Sequence, residues 1–217
     1  MKYNTVIFDF DGTLLNTLRD LAGAVNHALK KHGYPTHEEE KVRLMIGNGV
    51  RMLVSRALPM GFDTPDYDEV FADFREHYSH HCSDNTGVYD GVLPMLRRLK
   101  EAGVKMAIST NKYQAAAEEL RKQFFADYID IIVGDLETRQ RKPAPDSVFA
   151  ALDALGVDRT GAVYIGDTEV DRETAENSGL DFIAVSWGYR DRQQLADMGI
   201  EKIANTPEAL CRLVLGE

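Results

Sequence analysis

Apolar positions along the chain keep two different periods. Residues 2–8, which end in the apolar run Val6-Ile7-Phe8, read as a buried strand. From 16 to 32 the spacing becomes helical, with Leu18, Leu21, Ala22, Val25, Ala28 and Leu29 on one face and Gly33 placed to end the helix. Thr17 and Asp20 stand at capping-box spacing, as do Thr36 and Glu39, which open a second helix running to Gly47-Asn48-Gly49. A third helix covers 50–58 and stops at Pro59. A fourth follows Thr64-Pro65, with the proline at its first position and an apolar stripe of Tyr67, Val70, Phe71, Phe74 and Tyr78. No strand period interrupts residues 16–86.

Beyond residue 87 the two periods alternate. Helices at 92–102, 113–124, 146–155, 168–178 and 192–198, and one opened by Thr206-Pro207, are separated by strands at 104–110, 128–133, 162–165 and 181–185 and near Ile203. Such alternation calls for a parallel sheet covered on both faces. The predicted fold class is therefore α/β: a doubly wound, Rossmann-like parallel-sheet core from 1–15 and 87–217, with an all-α cap domain inserted at 16–86.

Composition narrows the function. The chain has 217 residues, 44% hydrophobic and 28% charged, which is ordinary for a globular protein. A net charge of -10 argues against a general nucleic-acid binder, which would carry a basic face. It leaves room for an anionic small substrate, because local charge governs a site. Cys82 and Cys211 lie far apart with no Cys-x-x-Cys pattern and are expected to be reduced thiols. No apolar run approaches the ~18 residues of a membrane span, and the first strand has no basic-then-apolar leader before it. The expectation is a cytoplasmic monomer or homodimer without membrane or nucleic-acid partners.

In doubly wound sheets ligands bind at the carboxyl ends of strands, so polar residues there carry the candidate chemistry. The first strand ends in Asp9-Phe10-Asp11-Gly12-Thr13 and the second in Ser109-Thr110-Asn111-Lys112. Lys142-Pro143 follows the third, and Gly166-Asp167-Thr168-Glu169-Val170-Asp171 ends the fourth. Carboxylates buried beside apolar strands need compensation. Oxygen-only ligation suits Mg²⁺, which binds through one or two carboxylates plus a substrate phosphate. An ammonium and backbone N–H groups suit phosphoryl oxygens. Each piece alone has a plainer reading: Asp-Gly-Thr as a turn, Gly-Asp as a strand-to-helix turn, Thr110 as a helix cap, Lys142-Pro143 as a surface loop. Their recurrence at one predicted sheet edge weakens those readings.

The four segments, in this order and spacing, resemble the haloacid dehalogenase-like hydrolases with a helical cap after the first strand, and among them the phosphoglycolate phosphatase branch. The resemblance implies that Asp9 is a nucleophile forming an aspartyl-phosphate, and that Asp11 serves as general acid and then general base. Asp9, the Asp11 backbone carbonyl and Asp167 would hold Mg²⁺, with Asp171 in support. Thr110 and Lys142 would hold the phosphoryl group, helped by backbone N–H groups near Gly12 and Asn111. An aspartate at position 11 separates phosphatases from dehalogenases, whose halide leaving group needs no proton. The chain is expected to turn at Phe10-Asp11-Gly12 so that both carboxylates reach one phosphorus. The leading reading is Mg²⁺-dependent hydrolysis of a small phosphorylated metabolite, phosphoglycolate first. A phosphomutase of the β-phosphoglucomutase type, a pyrophosphatase and an idle binding module are the alternatives.

Other segments read less sharply. Ile46-Gly47-Asn48-Gly49-Val50-Arg51 resembles the cap loop that faces the active site in that branch. Arg51 suits a substrate carboxylate or a surface acid equally. His77, His80 and His81 have spacings compatible with a metal face, but a solvated helix end is the plainer reading. Asp146 is expected to cap the helix after Pro145, and Trp187 to fill core or cap contacts.

Overall fold

The strand β1 (Thr5–Phe8) lies buried at the middle of a six-stranded sheet. The computed structural model describes residues 1–217. They fall into two units, Met1–Leu15 with Val88–Glu217, and Asn16–Gly87. In the first unit, α5 (Val92–Glu101), β4 (Lys105–Tyr113), α6 (Gln114–Phe125), β5 (Ile131–Asp135), α7 (Asp146–Leu155), β6 (Ala162–Gly166), α8 (Glu169–Ser178), β7 (Asp181–Val185), α9 (Arg192–Asp197), β8 (Ile203–Ala204) and α10 (Pro207–Leu215) follow β1. The sheet order is β5-β4-β1-β6-β7-β8, with every pair parallel. The chain builds outward from β1 through β4 to β5, then returns to β6 on the other side. β1 is thus the switch point at which a doubly wound sheet opens a crevice.

Alternation along the strands supplies both helical layers. Val6 and Phe8 join Met106, Ile108, Val163 and Ile165 in a cluster with Leu96 and Leu99 of α5 and Leu210 and Val214 of α10. Ile7, Ala107 and Tyr164 go to the opposite face, with Val148, Ala151 and Leu152 of α7 and Ala175 of α8. Successive side chains on a strand face opposite ways, so an unbroken apolar run is what two covered faces require. The register pairs Phe8 with Ile108 and with Ile165. It therefore brings Asp9 level with Ser109 and Gly166, where the site begins.

The second unit contains α1 (Leu18–Lys31), α2 (Glu39–Met45), α3 (Val50–Ala57) and α4 (Tyr67–His81), with a 3-10 turn at Gly61–Asp63. Short strands β2 (Leu15–Asn16) and β3 (Gly87–Val88) pair where the chain passes between units, a feature the helical spacing of 16–86 did not predict.

Several local expectations are corrected. Thr17 occupies the N-cap of α1, but its side chain does not cap, and Asp20 instead accepts from Asn85 and Thr86. α2 starts at Glu39 behind Glu38, so Thr36 and Glu39 form no box. Pro65 precedes the N-cap Asp66 rather than opening α4. Asp146 is the first residue of α7, with Pro145 at its N-cap, and makes no capping bond. β4 runs on to Tyr113, through a register irregularity between Ser109 and Tyr113. Finally, no break is needed between Asp9 and Asp11. Alternate positions share a face, Phe8 and Phe10 both pack in one cluster, and the turn follows, with the Phe10 carbonyl accepting from Leu14 and Leu15 at 3.0 Å.

Candidate active site

The site is assembled from four strand ends. Asp9 follows β1, Thr110 and Asn111 lie near the end of β4, Lys142 sits in the loop after β5, and Asp167 follows β6. Lys142 is buried, and its Nζ donates to Asp9 Oδ1 at 2.6 Å, to Asp171 Oδ1 at 2.9 Å and to the Tyr164 hydroxyl at 2.9 Å. The loop carrying it is fixed by reciprocal bonds with Asn111: Lys142 N donates to Asn111 Oδ1 at 2.8 Å, and Asn111 Nδ2 to the Lys142 carbonyl at 3.1 Å. Asp171 Oδ2 accepts from Asp167 N, Thr168 N and Thr168 Oγ1, which ties the start of α8 to the end of β6. Asp167 accepts from Thr13 Oγ1 at 3.2 Å and from the Tyr189 amide at 2.6 Å. Gly12, at φ 87, lies so close to Asp167 that a Cβ there would fall 2.4 Å from its Oδ2. A side chain is excluded both by conformation and by contact.

Charge in this pocket does not balance. Asp9, Asp167 and Asp171 are buried, and their ligand oxygens lie within 4.8 Å of one another. Burial raises Asp9 to about 7, with the Asp171 charge adding to the effect and Lys142 opposing it. Burial also pushes Asp167 well above the usual carboxylate range, reinforced by Asp171 and Asp9. For Lys142 burial disfavours the ammonium, but Asp171 and Asp9 outweigh it and hold the proton firmly. Three acids around one ammonium cannot all ionise in a dry setting without further positive charge. An all-oxygen donor set of this kind fits a hard divalent cation.

Most residues singled out in the sequence meet here, with distinct surroundings. Asp11 is half-buried and accepts from Lys112 Nζ at 3.0 Å. Its carboxylate is not among the three clustered acids. Thr110 is buried, and its Oγ1 accepts from Lys112 N at 3.1 Å. Asp171 has all five of its donors from within the fold: Lys142 and Tyr164 on Oδ1 and the three already named on Oδ2. Arg51 belongs to the other unit. There its guanidinium lies 4.7 Å from the Phe71 ring centroid and 3.6 Å from Asp68. The histidines form no chelating group: His77 stacks between His27 at 4.0 Å and His81 at 4.3 Å. Sequence reasoning missed Tyr164 and the Tyr189 amide, and it placed Thr13 and Lys112 at the strand ends without giving either a partner. Tyr164 left one signal, a hydroxyl inside a strand buried on both faces, which must find a partner.

A parallel sheet that gathers buried carboxylates and a lysine at its switch point defines an α/β enzyme. The family is equally plain. Residues 6–185 match the model of the haloacid dehalogenase-like hydrolases, and the chain belongs to that family. A phosphoglycolate phosphatase from Cereibacter sphaeroides is 39% identical over 189 residues, covering 85% of this chain and 86% of the relative. An N-acetylmuramic acid 6-phosphate phosphatase from Pseudomonas aeruginosa is 29% identical over 212 residues, covering 97% and 94%. A solved structure from Lactobacillus delbrueckii subsp. bulgaricus superposes with a TM-score of 0.96 at 35% identity, covering 100% of both chains.

Proposed function

We propose that this protein is a phosphoric monoester hydrolase of small metabolites that works through Asp9. The observation that carries the reading is the Asp9 carboxylate itself, buried among Asp167 and Asp171 and held by Lys142 at 2.6 Å. Phosphoryl transfer asks mainly for positioning and charge neutralisation, and this pocket is built for both. Asp9, the Asp11 backbone carbonyl and Asp167 are the residues assigned to hold Mg²⁺, which when bound supplies positive charge to phosphoryl oxygens. Asp171 supports that set through Lys142, Tyr164 and the start of α8.

Asp9 attacks phosphorus and becomes an aspartyl-phosphate. Asp11 gives a proton to the leaving alkoxide and later takes one from the attacking water. Lys142 and Thr110, with the backbone around Gly12 and Asn111, hold the transferred group. Residues 16–86 serve as a cap domain that selects the rest of the substrate, and loop 46–51, including Arg51, is assigned to a carboxylate on it.

Phosphoglycolate is the leading substrate, supported by the relatives that carry that activity. A phosphosugar acid is the second reading, supported by the relative acting on N-acetylmuramic acid 6-phosphate. The test is phosphate release over a panel of both esters, pyrophosphate and a hexose phosphate, with and without Mg²⁺. Asp9→Asn is expected to remove turnover of every ester while leaving the circular dichroism spectrum unchanged. Retained turnover would falsify the nucleophile, and isomerisation without phosphate release would identify a mutase instead.

A further inference from the structure

The segment after β7, Ser186-Trp187-Gly188-Tyr189-Arg190, contacts three parts of the site at once. Trp187 Nε1 donates to the Thr13 carbonyl at 3.0 Å. Gly188 presses so close that a Cβ there would stand 2.2 Å from the Gly12 carbonyl oxygen and 2.4 Å from Asp167 Oδ2. The Tyr189 amide donates to Asp167 Oδ2 at 2.6 Å. Arg190 is buried and forks onto Glu169, with Nε 3.1 Å from Oε2 and Nη2 2.9 Å from Oε1. Glu169 is the first residue of α8, two beyond Asp167. The chain therefore closes a ring: Asp167 to Tyr189 by hydrogen bond, Tyr189 to Arg190 covalently, Arg190 to Glu169 by ion pair, and Glu169 back to Asp167.

We propose that Trp187–Arg190 is a positioning clamp for Asp167, latched by the Arg190–Glu169 pair, and that it sets the site's affinity for a divalent cation. The inference rests on the assignment of Asp167 as a cation ligand. Asp167 lies fully buried beside two other acids, with Gly12 and Gly188 packed against its carboxyl group, so its orientation is set by the donors and backbone around it. A backbone N–H is a donor with no rotamer freedom of its own, so it fixes one carboxylate oxygen as long as the segment stays down. The bidentate guanidinium keeps it down, and no lysine reproduces that fork. Arg190 is thus a positioning residue that acts through Tyr189. Partners that orient metal ligands commonly govern affinity by tenfold or more.

The test is titration of the full chain with Mn²⁺ alone, bound metal being read by electron paramagnetic resonance, for wild type, R190M, E169Q, the double variant and D167N. R190M and E169Q are each expected to weaken Mn²⁺ binding about tenfold. The double variant should be no weaker than the single ones by more than about twofold, because both remove one interaction. The Mg²⁺ concentration for half-maximal turnover should rise by the same factor. Wild-type Mn²⁺ affinity in both single variants, alongside loss in D167N, would overturn the clamp. Losses that multiply in the double variant, or that occur in only one single variant, would overturn the latch. Wild-type affinity in D167N would overturn the cation assignment itself. If R190M does not fold, E169Q carries the test, since its side chain is only partly covered.

Discussion

Asp9 is held in a state that a free aspartate never reaches near neutrality. Burial raises it to about 7, whereas the unfolded residue ionises near 3.9. The metal-free fold therefore keeps a proton on Asp9 that the unfolded chain has already lost. Its contribution to stability is full below about 4 and disappears as pH rises through about 7. The attack proposed for Asp9 requires its ionised form, so at limiting Mg²⁺ the rate should rise with pH through about 7, and saturating Mg²⁺ should move that limb to lower pH. A pH–rate profile at the two Mg²⁺ levels checks this, and a limb that stays in place would mean that the cation does not share Asp9. Asp9, Asp11, Asp167 and Asp171 are legible in the sequence because each sits in a short motif at a strand end. Tyr164 is harder to see because it stands inside a strand, outside any motif, and Lys112 stands in the second motif with nothing local to mark Asp11 as its partner. The Tyr189 amide has no side-chain signature at all.

At the scale of elements, the helices after residue 87 are legible largely because their stops are local. Gly156 and Gly179 close α7 and α8 in the left-handed region. The helix starts of the inserted unit are less legible, because distant partners compete for the capping side chains. Asp20 illustrates this. It accepts from Asn85 N at 2.9 Å, Asn85 Nδ2 at 2.8 Å, Thr86 N at 2.9 Å and Thr86 Oγ1 at 2.8 Å. It thus ties the first helix of its unit to the returning chain, and a box with Thr17 would forfeit that tie. Asp20→Ala leaves these donors without their acceptor and should cost about 3 kcal/mol. A urea titration reads it as a lower midpoint at unchanged slope. A cost below ~1 kcal/mol would mean that water replaces the carboxylate.

For the molecule as a whole, the alternation of periods was enough to give a doubly wound sheet. The strand order and register were not legible, because they depend on pairings between segments far apart in the chain. The same long-range assembly concentrates three acids around one ammonium, so their full ionisation calls for further positive charge, which the proposed cation would supply. Mg²⁺ at about one hundred times its dissociation constant should stabilise the protein by about 2.7 kcal/mol. Thermal denaturation with Mg²⁺ and with chelator reads the difference as a shift in Tm. Asp167→Asn should remove most of that shift, because it takes away an assigned ligand. An equal shift in the variant would place the stabilising ion elsewhere.

Sequence separation within the site has a consequence for biosynthesis. Lys142 reaches Asp9 across 133 residues, Thr13 reaches Asp167 across 154, and Trp187 reaches Thr13 across 174. Such contacts form only after long loops close, which makes them late in folding. During translation Asp9 therefore emerges 133 residues ahead of Lys142. A ribosome-bound intermediate that ends before Lys142 carries Asp9 without the ammonium and the acids that surround it in the fold. A chain cut short before β6 lacks Asp167 and Asp171, so the three-acid cluster is complete only once α8 has begun.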